Sequence, residues 1–137
     1  MVDEPTPTTG SSKRGDPVPH FRVATVDDRT VEYSTIWQRR NLVLVTLIDT
    51  DSAPSRRYVS QLSAATPAFQ NQETECVITR DVVAGVASPA VVIADRWGEI
   101  VWVASASSVA DLPRLPEILE WIAYLQTRCP ECEGETK

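Results

Sequence analysis

Asn41-Leu42-Val43-Leu44-Val45-Thr46-Leu47-Ile48, followed by Asp49-Thr50-Asp51-Ser52-Ala53-Pro54-Ser55-Arg56-Arg57-Tyr58-Val59-Ser60-Gln61-Leu62, is the stretch on which the reading of this chain turns. The first eight residues are almost unbroken in apolar and β-branched side chains, the pattern of a central strand covered on both faces. Polar residues stop that strand. Apolar positions then recur at Tyr58, Val59, Leu62 and Ala65, a helical stripe. Ser52 is a natural N-cap, and Pro54 falls in the first turn, where its missing N–H costs nothing.

Working outward, Pro19 to Val26 alternates as a half-buried strand does, Asp27-Asp28-Arg29 supplies turn chemistry, and Thr30 to Tyr33 returns as a second strand. Cys76-Val77-Ile78-Thr79 and Ala90-Val91-Val92-Ile93-Ala94 are β-prone runs. Asp95-Arg96-Trp97-Gly98 is a turn joining the latter to Glu99–Val103. Leu115, Ile118, Leu119, Ile122 and Leu125 share one helical face, introduced by Pro113 and Pro116 and halted by Pro130. The order is hairpin, strand, helix, strand, hairpin, helix: an α/β domain, a mixed central sheet flanked by helices.

The whole chain sets bounds on this reading. Its 137 residues suit one domain at 17–127, with a disordered tail at 1–16 rich in Pro, Thr, Ser and Gly and a short C-terminal tail at 128–137. A net charge of −6 repels phosphate backbones, so no nucleic-acid partner is expected. Met1 to Pro19 lacks the apolar run of a signal peptide and no segment is long enough to span a bilayer, so no membrane partner and a cytoplasmic location are expected. Three cysteines, Cys76, Cys129 and Cys132, are too few for a disulfide framework.

Read with its punctuation, the chain resembles the thioredoxin-like redoxins, which include the peroxiredoxins of the alkyl hydroperoxide reductase and thiol-specific antioxidant type. Gly15-Asp16-Pro17-Val18-Pro19-His20-Phe21 is similar to the family's opening G-x-x-x-P-x-F, and Asp27-Asp28-Arg29-Thr30-Val31 to its D-G-R-x-V hairpin. Ser88-Pro89 before an apolar strand resembles the thioredoxin-fold cis-proline. Ser52 to Leu62 is similar to the stretch C-x-x-C-R-R-E-x-x-x-L, with Ser52 and Ser55 at the two cysteine positions. The resemblance implies a thioredoxin-like fold. It implies a parent activity of peroxide or disulfide reduction without metal or organic cofactor, and a groove beside Ser88 and Pro89 that meets a substrate or partner.

A helix N-terminus lowers the pKa of a thiol; a serine hydroxyl there stays protonated and needs a base. The only histidine, His20, lies in the opening segment beside two prolines, far along the chain from Ser52. Little or no turnover is therefore expected at Ser52 and Ser55, whose plain role is helix capping. The serines arose either by natural divergence or by replacement of cysteines, and Asp51 and Ala53, which also depart from the family's usual residues, favour divergence.

Cys129-Pro130-Glu131-Cys132 has the spacing of a slow dithiol or of half a tetrahedral metal site, or it is chemically silent. Its place after a helix C-terminus, with Glu131, Glu133 and Glu135 nearby, raises thiol pKa values. Cys76 reads as a small buried hydrophobe, Trp97 and Trp102 as packing residues, and Arg56-Arg57 as a helix-start anion attractor or a solvated pair. Only eight residues, Asp81 to Ser88, separate the Cys76 strand from Pro89, where the family places a helix or a longer insertion. One sheet face is therefore expected to lie uncovered and to favour a protein partner or a homo-oligomer. The alternative to a weakened redox protein is a non-catalytic thioredoxin-fold binding module using the groove beside Pro89.

Overall fold

A computed structural model describes residues 12–127, and Cys129 and Cys132 lie outside these residues. The strand read as central is β3, Asn41–Thr46, and all six of its residues are buried. It is flanked on one side by parallel β4, Thr74–Thr79, and on the other by antiparallel β5, Ala90–Ala94, with β6, Ile100–Ser105, outermost. The strand ends at Thr46 rather than Ile48 because its neighbours run out: Thr46 pairs with both Thr79 and Ala90, the last and first residues of β4 and β5. Ile48 is 68% exposed beyond that edge.

Strand alternation sorts the core into two layers. Val43, Val45, Ile78, Val91 and Ile93 face the helices α1 (Ala53–Ala64), α2 (Thr66–Asn71) and α3 (Leu115–Thr127), meeting Leu62, Phe69, Ile118 and Ile122. Trp102 belongs to this side and stacks on Trp121 with centroids 5.2 Å apart. Trp97, by contrast, is about half exposed beside the Arg96 guanidinium. The helix expected after Ser52, with its stripe from Tyr58 to Ala65, is α1, and a second short helix, α2, follows it after a break near Ala65. Pro67 has no N–H to offer the Ser63 carbonyl, which accepts instead from the Thr66 hydroxyl at 2.8 Å.

The opposite face, expected to be bare, is covered. Leu42, Leu44, Val77 and Val92 lie under an N-terminal hairpin of β1 (Arg22–Ala24) and β2 (Thr30–Glu32), with Tyr33 and Ile36 of the turn that follows. The short link after β4 contributes Val83 and Val86 to the same layer. The link needs no helix because it only rounds the end of β3, from Thr79 to Ala90. Hydrogen bonds stitch the hairpin to that link: Thr79 Oγ1 donates to Ala24 O, and Ala24 N–H donates to Asp81 Oδ2, both at 2.7 Å. The argument from an open face to a partner subunit therefore falls.

Residues 12–16, assigned to the tail by composition, join the domain. Ser12 N–H donates to Gly85 O and Gly15 N–H to Ile100 O, both at 2.8 Å, while Val18 N–H donates to Gly98 O at 2.9 Å. Backbone geometry explains why composition misled, since these bonds ask nothing of the side chains.

Gly15 and Gly98 both sit at positive φ, +94° and +92°, but only Gly98 is crowded: a Cβ there would lie 2.9 Å from Trp37 Nε1, which donates to Trp97 O. An alanine at either site carries a backbone cost of about 1 kcal/mol. At Gly98, overpacking adds roughly 1–3 kcal/mol. Urea unfolding should show Gly98→Ala clearly less stable than Gly15→Ala, with an altered Trp fluorescence maximum; equal midpoints would mean that the Trp37 contact does not constrain the turn.

Candidate functional site

The site forms where β3 ends and α1 begins. Polar residues turn the chain: the Asp49 carboxylate accepts from Asp51 N–H at 2.7 Å. Ser52 then adopts extended geometry, φ −67° and ψ 155°, and its Oγ accepts from Ser55 N–H at 3.3 Å. That is an N-cap, and it supplies a partner to one of the first-turn donors that a helix otherwise leaves unpaired. Ser52 is exposed, whereas Ser55 is buried. Tyr58, one turn on, donates its hydroxyl to Pro113 O at 2.5 Å and ties α1 to the segment before α3.

Across the opening lies Pro89, joined to Ser88 by a cis peptide. Ser52, Ser55 and Pro89, together with Ile48, Asp49 and Val109, line one cleft of about 240 Å³. The sequence reading named the first three and missed the rest. Ser107, Ser108 and Ala110 also reach this cleft. They belong to the connection between β6 and α3, with a 3-10 turn at Val109–Asp111, and are brought in because β6 lies beyond β5 at the same end of the sheet. The one sequence signal was the polar run Ser105-Ala106-Ser107-Ser108 at the end of a strand.

Arg56 was the arginine expected at the site. It contributes a backbone N–H bonded to Ser52 O at 2.9 Å, and Arg57, not Arg56, lines the adjoining cleft. Helix geometry decides this, since neighbours in sequence point about 100° apart. Ser88 is half-buried beside Pro89.

Chemically, the cleft has no activated nucleophile. His20 packs edge-on against Tyr33 and Trp37, with centroids 5.3 and 5.2 Å away. Trp37 in turn bonds to the β5–β6 turn, so the imidazole sits at the far end of the sheet from Ser52. Cys76, the only cysteine among the described residues, lines a separate cavity of about 100 Å³ with Val26, Leu62 and Ile78. Burial, with Glu75 adding like charge against a smaller opposing effect of Arg29, pushes its thiol up to about 12. Such a thiol stays protonated and unreactive at neutral pH. Among the described residues no cluster of three or more His, Cys, Asp or Glu side chains could hold a metal ion, and no helix is long and apolar enough to cross a membrane.

Comparison with solved structures settles the architecture. The reduced 2-Cys peroxiredoxin of Plasmodium vivax superposes with a TM-score of 0.66 at 14% identity, over 84% of this chain and 82% of that one. The fold is that of the peroxiredoxin-like thioredoxin proteins. A yeast mitochondrial 1-Cys peroxiredoxin gives 0.67 at 12% identity over 84% and 76% of the two chains. A thioredoxin-family thiol:disulfide interchange protein of Chlorobium tepidum gives 0.56 at 12% over 84% and 99%. No family model matches the chain, and no curated protein matches it significantly in sequence. The likeness is thus one of fold.

Two buried tyrosines and the part-buried Cys76 share one linkage. Cys76 moves from an ordinary 9.0 to about 12, Tyr33 from 10.0 to about 12 by burial and the nearby Asp95 charge, and Tyr58 upward by burial first, then by Cys76 and Glu117. In each the native state keeps the proton that the unfolded chain releases. The contribution to stability is complete below the unfolded pKa and is lost as pH rises through the folded one. Urea midpoints should hold to about pH 9 and fall toward about pH 11, more shallowly in Cys76→Ala with Tyr33→Phe; a flat profile in the unsubstituted protein would contradict the burial of these groups.

Proposed function

We propose that this chain is a redoxin-type protein with little or no peroxidase turnover at Ser52 and Ser55, and that its working surface is the cleft beside Pro89, which receives an extended segment of a protein partner. The observation carrying this reading is that Ser52 Oγ serves as a cap acceptor at the helix start where thiol proteins of this fold hold a thiolate. Neither a thiol nor an imidazole lines the cleft among the described residues. The fold supports the relationship to thiol-dependent peroxide reduction; the residues support a binding role.

The cleft suits binding for physical reasons. Ile48, which lines it, is 68% exposed. Large apolar residues this open next to a concave surface mark an interaction site more often than isolated ones do. Any residual dithiol chemistry falls to Cys129 and Cys132 in the tail after α3, and a cytoplasmic setting, which keeps such a pair reduced, is part of the same proposal.

Two measurements test the reading. Hydrogen peroxide supplied with a dithiol should be consumed no faster with the protein than without it, and faster consumption that survives loss of Cys129 and Cys132 would overturn the proposal. Ser52→Cys should place an exposed thiol at the positive end of α1, with a pKa below the free value of about 8.5. Iodoacetamide should therefore label Cys at 52 near neutral pH while Cys76 stays unlabelled until the chain unfolds.

A further inference from the structure

Beside the Pro89 cleft lies a second one, of about 290 Å³, separated from it by a shared wall of Pro54, Val109 and Ala110. Its chemistry is different. Arg57 on α1 and Arg114 just before α3 both line it, over a base that includes the buried Tyr58. No carboxylate lines it among the described residues. Among the described residues neither guanidinium forms an ion pair, which is also true of Arg39, Arg56 and Arg80; what sets these two apart is that they share one cleft.

Two guanidiniums, one from α1 and one from the segment before α3, thus line a single cleft with no carboxylate in its described lining, in a chain of net charge −6. We infer that the two clefts form one bipartite surface for an acidic polypeptide segment, with its apolar residues over Ile48 and Pro89 and its carboxylates between Arg57 and Arg114. This rests on the binding role proposed for the Pro89 cleft and adds the partner's chemistry and direction. The direction follows from charge. Asp49 lines the Pro89 cleft and repels a carboxylate there, while guanidinium forks match carboxylate geometry in the second cleft. Asp111 and Glu117 stand nearby, on the turn before Leu112 and in the first turn of α3, and pair with neither arginine. They limit the attraction without cancelling it.

Tyr58 holds the geometry. Its hydroxyl bond to Pro113 O fixes the residue next to Arg114 against the helix that carries Arg57, so the backbones that bear the two arginines are held together. A carboxylate bound there lies within reach of two guanidiniums whose backbones are already fixed relative to each other.

The test uses the full chain, labelled with nitrogen-15, and two peptides, acetyl-Leu-Val-Thr-Glu-Glu-amide and its counterpart with glutamine in both glutamate positions. The acidic peptide should shift the amides of Arg57, Tyr58, Ala110 and Arg114 together with those of Ser52 and Ser55, and the glutamine peptide should bind more weakly. Arg57→Gln and Arg114→Gln should each weaken the acidic peptide by about three-fold, and the double variant by about ten-fold, with no effect on the glutamine peptide. In the charge-reversed Arg57→Glu/Arg114→Glu chain, preference should pass to a peptide with lysine in place of glutamate. Equal binding of the glutamate and glutamine peptides, with shifts confined to the Pro89 cleft, would overturn the inference and leave the binding role standing. No shift with any peptide would count against both.

Discussion

Enclosing β3 on both faces and along both edges is the constraint from which the rest of this molecule follows. Leu42, Val43, Leu44 and Val45 are at most 1% exposed, and burying each such side chain stabilises the fold by about 1.5–3 kcal/mol. No smaller arrangement hides a six-residue strand this completely: it requires β4 and β5 for the backbone, three helices for one face and a hairpin with its following turn for the other. Once β3 is fixed, its exit is fixed too. The polar turn after Thr46 has to leave the sheet, and α1 has to start there to return over Val43 and Val45. The cleft is the gap left where that exit meets the loops that open β5 and follow β6.

How much of this was legible in the residues depended on how local the cause was. The cap at Ser52, the proline in the first turn and the two-sided burial of β3 are decided within a few residues, and the sequence showed them plainly. The break near Ala65 is also local, since Pro67 removes a helical donor, and the apolar stripe read from the sequence ends there. Coverage of the second sheet face was not local. It depends on Val83 and Val86 reaching a layer built by Val23, Val31 and Tyr33, over fifty residues of chain away. A missing family helix was therefore mistaken for missing cover.

The functional surface divides in the same way. Ser52, Ser55 and Pro89 could be named because punctuation and order carry them, whereas Val109 and Ala110 have no chemical signature and enter only through the β6 connection. Arg56 and Arg57 are indistinguishable in a sequence and separated in space by one helical step. The contrast matters because the adjoining cleft is defined by Arg57 with Arg114, a pair that the sequence places 57 residues apart. Charge patterns along a chain identify a helix start; only packing tells which side chain shares a cavity with another element.

A fold built for thiolate chemistry does not need a thiolate to keep its shape, and the reason lies in what position 52 does. The unpaired N–H groups of a helix start can be turned toward a developing negative charge or closed by a neutral acceptor, and one first-turn donor cannot fully serve both. Cysteine exploits the first option, with a sulfur that accepts hydrogen bonds poorly and therefore caps poorly. Serine takes the second, worth about 1 kcal/mol at a good N-cap. Here the Ser52 oxygen is committed to Ser55 N–H, and the buried Ser55 fills the inner position. The cap at Ser52 contributes to the stability of α1, while the cleft walls are set by β3, Pro89 and the β6 connection. The shape of this surface therefore does not depend on a thiolate, which is the physical ground on which the proposed binding role rests, and Arg57 with Arg114 sets the charge of the cleft beside it.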